Sequence, residues 1–240
     1  MNSNLLIQFK KVHQDLKLSH HPFDRSFNYL KWAFKGIDFK NKKVLDIGGG
    51  NGIYSYYAKF QGAKSCINLE PLQAGSTNVK IENKKIEYQF SIQTINQTFQ
   101  NFRTTEKFDI IILHDSINHL DEDNFCKINT HSSAKSVYLN LIKKMCSMLA
   151  EEGEFVISDC SRYNFWGIIG LKSPFAPSID WNLHQSPYLI IKLFEENGLR
   201  KNNLRWSPFK RFGGFGRLLT IFGFPTAFFM QSHFNLKIKR

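Results

Sequence analysis

The sequence predicts an α/β domain built on a mostly parallel sheet and finished by an antiparallel pair of strands. Three observations carry this. Short apolar runs alternate with helical stretches between residues 43 and 158, the pattern of strand–helix–strand crossovers. A glycine-rich turn follows the first apolar run. Beyond Gly198 the pattern changes to two strand-like runs separated by a Gly- and Phe-rich stretch.

Residues 1–40 read as helices. Leu5, Leu6, Phe9, Val12 and Leu16 recur at helical spacing, and Phe27, Leu30, Ala33 and Phe34 do so after Pro22. Residues 43–47 form a short apolar strand. Residues 53–60 read as a helix with Gly62 as its C-terminal cap. A strand at 65–69, a short helix at 72–80 and a third strand at 86–90 follow. Residues 108–113 (FDIIIL) are a nearly continuous apolar run, as expected of a strand buried on both faces. Residues 134–149 make a long helix with Val137, Leu141, Met145 and Met148 on one side, and 154–158 (EFVIS) a further strand. A helix at 187–197, capped by Gly198, precedes strands at 204–206 and 234–239.

A chain of 240 residues suits one large domain better than two independent ones. The 42% hydrophobic and 22% charged content excludes a disordered chain. Thirty-two Lys and Arg against 20 Asp and Glu give a net charge of +12, which favours an acidic partner: an anionic small molecule, nucleic acid or an anionic membrane surface. No Lys/Arg-rich block marks a nucleic-acid tail. The four cysteines are widely spaced without a C-x-x-C pair, which argues against a zinc site or a disulfide framework and for reduced thiols in the cytoplasm. The N-terminal residues lack the apolar core of a signal peptide. The apolar stretch 218–230 is too short to span a bilayer and contains Gly223 and Pro225.

The chemistry centres on residues 44–52, VLDIGGGNG. An apolar strand runs into Asp46, then Gly48, Gly50 and Gly52, then a helix. Glycines let the backbone turn tightly and approach a ligand closely, and the helix start offers unpaired N–H groups. Asp46 at the strand's end is placed to orient a ligand ammonium. A dinucleotide fingerprint reads G-x-G-x-x-G, whereas here the spacing is G-x-G-x-G, with Ile at 53. The second strand ends in Asn68-Leu69-Glu70-Pro71, and Glu70 falls where an acid accepts hydrogen bonds from both hydroxyls of a ribose.

Together these features resemble class I S-adenosylmethionine (SAM)-dependent methyltransferases of the small-molecule type. The resemblance covers roughly residues 42–240. It implies a Rossmann-like seven-stranded sheet of order 3-2-1-4-5-7-6 with strand 7 antiparallel. It also implies an N-terminal helical cap (1–40), a methyltransferase domain (41–240), and SAM as the cofactor. The connection after the fifth strand is too long and too aromatic for a simple turn, and about 160–186 reads as a substrate lid. Asp46, Gly48, Gly50, Gly52 and Glu70 would hold SAM. Many relatives carry an Asp after strand 3 for the adenine amino group. Here the run is Phe90-Ser91-Ile92-Gln93, so Ser91 and Ile92 are assigned to adenine. His114 would sit near the sulfonium, and Arg25 or Tyr29 over the SAM carboxylate.

The acceptor side is expected at the ends of strands 4 and 5. His119 matches the histidine of a segment after strand 4 in small-molecule methyltransferases and is the candidate base, with Asp115 and His184 as alternatives. Asp115, Asn118 and His119 are spaced D-x-x-N-H, similar to the E-x-x-E-H of ubiquinone-biosynthesis O-methyltransferases. Asn118 replaces the second carboxylate, so no metal is expected. Arg162, Tyr163, Trp181 and His184 are assigned to substrate binding, with Arg162 suited to a carboxylate or phosphate. The expected reaction is methyl transfer to a small acceptor, anionic ones included, at oxygen by preference. A nucleic-acid or protein methyltransferase and a catalytically silent SAM-binding scaffold are the rivals. No DNA partner is expected, and RNA only as a rival. The Phe-rich stretch 209–229 suits an anionic membrane or a lipid-linked acceptor, but the first expectation is that it fills space between sheet and cap or forms a dimer face.

Overall fold

The computed structural model of the chain describes residues 3–71, 92–207 and 218–240. The elements in order are α1 (Ser3–Asp15), α2 (Phe23–Ala33), β1 (Lys43–Ile47), α3 (Ile53–Phe60), β2 (Ser65–Leu69), β3 (Gln93–Ile95) and β4 (Phe108–His114). Then come α4 (Glu122–Lys127), α5 (Ser132–Met148), β5 (Leu149–Cys160), α6 (Phe165–Ile168), α7 (Pro187–Glu195), β6 (Arg200–Ser207), α8 (Phe224–Phe229) and β7 (His233–Lys239). The sheet order is β3-β2-β1-β4-β5-β7-β6, as the sequence led us to expect, with β7 antiparallel to both β5 and β6.

The chain divides into two compact units, 1–114 with 149–153, and 115–148 with 154–240. In the first, β1 lies parallel between β2 and β4, and β3 extends the sheet beyond β2. Val44, Leu45, Ile110, Ile111 and Leu113 are buried, as befits strands covered on both faces. The N-terminal helices are packed onto this sheet layer by rings. Phe9 of α1 lies 5.1 Å from Phe60 and 6.0 Å from Tyr57 of α3, and Phe34 stacks on Tyr57 at 5.5 Å. Each such pair is worth about 0.5–1.5 kcal/mol beyond its area. The strand expected at 86–90 and the helix at 72–80 lie outside the described residues. The strand that pairs with β2 is Gln93–Ile95.

In the second unit the predicted C-terminal strands are present and longer than the apolar pattern indicated. β5 spans twelve residues rather than five, because its polar start (AEEGE) carries no hydrophobic signal. β6 begins in the polar run RKNN and carries an irregularity between Lys201 and Asn203. Phe155 of β5 packs on Phe194 of α7 at 4.9 Å. Tyr138 of α5 is fully buried, and its hydroxyl donates to the Ile117 carbonyl at 3.0 Å. Burial holds that hydroxyl firmly protonated. This bond fixes the loop that leaves β4.

Candidate active site

The glycine turn is built on a buried polar pair. Asp46 is the last residue but one of β1, and Asn68 faces it across the β1–β2 ladder. Both are fully buried. The Asp46 carboxylate accepts the Ser55 hydroxyl at 2.9 Å, tying β1 to the first turn of α3. Asn68 donates to the Gly50 carbonyl at 3.1 Å. Glu70, just beyond β2, accepts the Gly50 N–H at 2.8 Å. The Gly48 N–H is held by the Leu69 carbonyl at 2.8 Å. The turn is thus gripped from below by the end of β2 before any ligand arrives.

Two glycines are sterically required. A Cβ on Gly49 would stand 2.2 Å from the Asn68 side-chain oxygen and 2.5 Å from the Asp46 carboxyl carbon. Gly52 has φ +76 and a Cβ there would meet the Ile92 side chain at 2.9 Å. Gly49 was not singled out from sequence, where only the alternate glycines stood out. Its signal is its place as the middle one of three consecutive glycines.

The Asp46 carboxylate lies beneath the turn, with one oxygen bonded to Ser55 and its buried Oδ1 without a hydrogen-bond partner among the described residues. Burial raises its pKa to about 7, the Ser55 bonds partly offset this, and the Glu70 charge adds to the rise. A carboxyl that holds its proton more tightly folded than unfolded loses folding stability as pH rises from about 4 toward 7. Asp46→Asn keeps an acceptor for Ser55 and removes the buried charge. The variant is therefore expected to match the wild type near pH 4 and to exceed it by up to about 4 kcal/mol near pH 8. Urea denaturation across that range checks it, and a variant less stable than wild type at pH 8 would show that the charge is needed.

The far side of the turn is aromatic. His114 ends β4, stacks on Tyr54 of α3 at 4.2 Å, and shares a 2.5 Å hydrogen bond with the Tyr29 hydroxyl of α2. Tyr29 is therefore placed beside the assigned His114, through a bond to that side chain. Tyr54 was missed, since one aromatic in a helix's first turn carries no distinctive signal. Ser91 lies outside the described residues. Ile92 packs against Gly52.

In the second unit the acceptor-side residues separate. His119 sits exposed in the short 3-10 turn Asn118–Leu120, with its ring paired to Glu122. The turn directs Asn118 inward and His119, the base expected from sequence, outward. Arg162 donates through Nη2 to the Asn182 and Cys126 carbonyls at 2.7 and 3.4 Å, which pins the segment around residue 182, while its buried Nε has no hydrogen-bond partner among the described residues. Tyr163 is exposed. Trp181 is buried against Cys160 and Ala176, a core residue of the proposed lid.

His184 is brought to Asp159. Its Nδ1 lies 3.0 Å from Asp159 Oδ1, which also accepts the Cys160 N–H at 2.7 Å. Burial alone would lower the His184 pKa. The bond to Asp159 and the charges of Asp159, Asp115 and Asp180 outweigh it, and the net shift is upward. Asp159 is fully buried, and its second oxygen has no hydrogen-bond partner among the described residues. Asp115, in a left-handed conformation with φ +48, stays exposed, 3.4 Å from the buried His233. Asp159 has no role in the reading of the sequence. Its signal was an acid one residue from the end of an apolar strand, as Asp46 is in β1.

A methyltransferase-domain family model matches residues 22–224, most of the chain. The chain belongs to this methyltransferase family. With its seven-stranded order, it is a class I SAM-dependent methyltransferase. This methyltransferase shares its fold with many solved structures. A putative SAM-dependent methyltransferase from Listeria monocytogenes is 12% identical, with TM-score 0.59 over 90% of this chain and 98% of that one. A SAM-dependent methyltransferase from Mesorhizobium loti is 12% identical, with TM-score 0.60 and the same coverage. Magnesium protoporphyrin IX methyltransferase from Synechocystis PCC 6803, solved with S-adenosylhomocysteine (SAH), is 14% identical, with TM-score 0.55 over 100% and 89% of the two chains. No curated protein matches the sequence.

The glycine turn suits SAM on its own geometry. A Cβ on Gly49 would strike the polar pair beneath the turn and one on Gly52 would strike Ile92, the buried Glu70 carboxylate stands at the loop, and the buried Asp46 Oδ1 and Asn68 Oδ1 have no hydrogen-bond partner among the described residues.

Proposed function

We propose that this methyltransferase acts on a small molecule, transferring the methyl to an oxygen whose proton His184 removes. The observation that carries the reading is the His184–Asp159 pair at the end of β5. With Nδ1 turned to a buried carboxylate, the imidazole keeps Nε2 as its accepting nitrogen. A hydroxyl must lose its proton as the methyl arrives, whereas an amine in its neutral form need not.

In this reading the Gly48–Gly52 turn, Glu70 and Ile92 hold SAM, with Glu70 on the ribose hydroxyls and Ile92 against the base. His114 and Tyr29 line the same side. SAM supplies an electrophilic methyl group when bound. The chain aligns the acceptor, shields it from water and holds the departing proton on His184, and Asp159 stabilises the imidazolium that results. Asp115 adds negative charge that favours the protonated ring. Arg162, by gripping the Asn182 carbonyl, fixes the turn that carries His184.

The test is incubation with methyl-labelled SAM and separate cell-derived fractions of small metabolites, RNA and protein. Label is expected in the small-molecule fraction, on an oxygen. Label only in RNA or protein would overturn the reading.

A further inference from the structure

We infer that Asn118 and the second oxygen of Asp159 form an acceptor subsite for an uncharged group that both donates and accepts hydrogen bonds, a hydroxyl or an amide, on the molecule to be methylated. This subsite rests on the reading of His184 as the acceptor-side base. Asn118 is 1% exposed, and neither its side-chain nitrogen nor its side-chain oxygen has a hydrogen-bond partner among the described residues. A buried amide left unpaired is costly, so it is met either by ordered water or by a ligand. The side chain is not needed to hold its own turn. The Tyr138 hydroxyl does that through the main chain, 3.0 Å from the Ile117 carbonyl and 3.3 Å from the Asn118 carbonyl.

Contacts within the second unit bring Asn118 and Asp159 into one neighbourhood. The Asp159 charge acts on the same Tyr138 hydroxyl that anchors Asn118. The Asp115 N–H donates to the Ser158 carbonyl at 2.8 Å, so the loop leaving β4 runs beside the end of β5. His184 is bonded to Oδ1 of Asp159 at 3.0 Å and also feels the charge of Asp115. A base, an unpaired carboxylate oxygen and an unpaired amide thus gather around the ends of β4 and β5, which favours a ligand over water.

The group types select that ligand. Asp159 Oδ2 only accepts, so it takes a donor. Asn118 offers both donor and acceptor. A hydroxyl or an amide matches both, whereas a carboxylate or phosphate only accepts and an ammonium only donates. An anion would also stand beside the Asp159 carboxylate, with Asp115 and Asp180 close enough for their charges to act on His184. Arg162 does not reverse this, because the charges of Glu122, Asp123 and Asp180 oppose its own at Cys126. The chain's overall charge of +12 favours an anion, but the groups gathered at this place do not.

The test compares wild type, Asn118→Leu and Asn118→Asp in labelling the small-metabolite fraction with methyl-labelled SAM. Asn118→Leu removes an unpaired buried amide, so its Tm is expected to equal or exceed that of wild type. SAH affinity should stay within a few fold. Labelling is expected to fall at least about 10²-fold, and the amount of fraction giving half the maximal rate to rise, because the subsite has lost its pairing groups. Asn118→Asp keeps the shape, loses the donor and adds a charge, and gives the same loss if the leucine variant does not fold. The labelled product is expected to pass an anion exchanger at neutral pH, and its retention there would overturn the uncharged assignment. Labelling unchanged in the folded variants would overturn the subsite and leave the amide to an internal water. A loss of both Tm and SAH affinity in the two variants would also overturn it, by making the amide structural. A wild-type protein that labels no small molecule would defeat the acceptor reading itself, and this subsite with it.

Discussion

Replacing His184 with alanine is expected to lower kcat by about 10²–10⁴-fold while SAH affinity stays within a few fold, because a positioned base contributes on that scale. The wild-type rate should fall as pH drops and the imidazole takes up its proton, with the midpoint above the ordinary histidine value because Asp159, Asp115 and Asp180 hold the proton on the ring. Asp159→Asn removes the nearest of those charges. It should lower kcat and move the limb to lower pH, a shift that a merely structural residue would not produce. His119→Ala, by contrast, should change kcat little, since that ring sits exposed against Glu122. If the His119 variant loses activity and the His184 variant keeps it, the base has been misassigned. Rate–pH profiles of the three variants decide the matter.

Glu70→Ala is expected to weaken SAH binding by roughly 10²-fold or more. Each hydrogen bond to a charged acceptor is worth about 1.5–3 kcal/mol, and every 1.4 kcal/mol is about a factor of ten. The carboxylate also holds the Gly50 N–H at 2.8 Å, so its removal leaves a donor of the turn unpaired. Glu70→Gln separates the two roles. The amide oxygen can still accept from Gly50, so the turn should persist while the charge-assisted ribose contacts weaken. Equal affinity of wild type and Glu70→Gln would assign Glu70 to holding the loop alone.

Most of the fold was legible because its signals are local. The run FDIIIL could hardly be anything but a buried strand, and VLDIGGGNG reports a strand, a turn and a helix start in nine residues. Polar strand ends were not legible. The start of β6 pairs with β7 through backbone groups, which leave no trace in side-chain pattern. The residues expected to hold the cofactor could be picked out in the sequence because they cluster at two strand ends. The geometry around the expected acceptor residues could not be read there, because it depends on which way single side chains turn. His119 and Asn118 are adjacent, yet one is exposed and the other buried. Arg162 reads from sequence as an anion clamp, and only the fold shows that its Nη2 is engaged by the Asn182 carbonyl. His184 and Asp159 lie 25 residues apart, and only the folded chain shows that they meet.

The central claim is that the turn from Gly48 to Gly52, backed by Glu70, is a SAM site. Calorimetric titration of the wild-type protein with SAH, and in parallel with NAD, tests it most directly. Saturable one-to-one binding of SAH with no binding of NAD is predicted. No heat with SAH, or tight binding of NAD in its place, would contradict it.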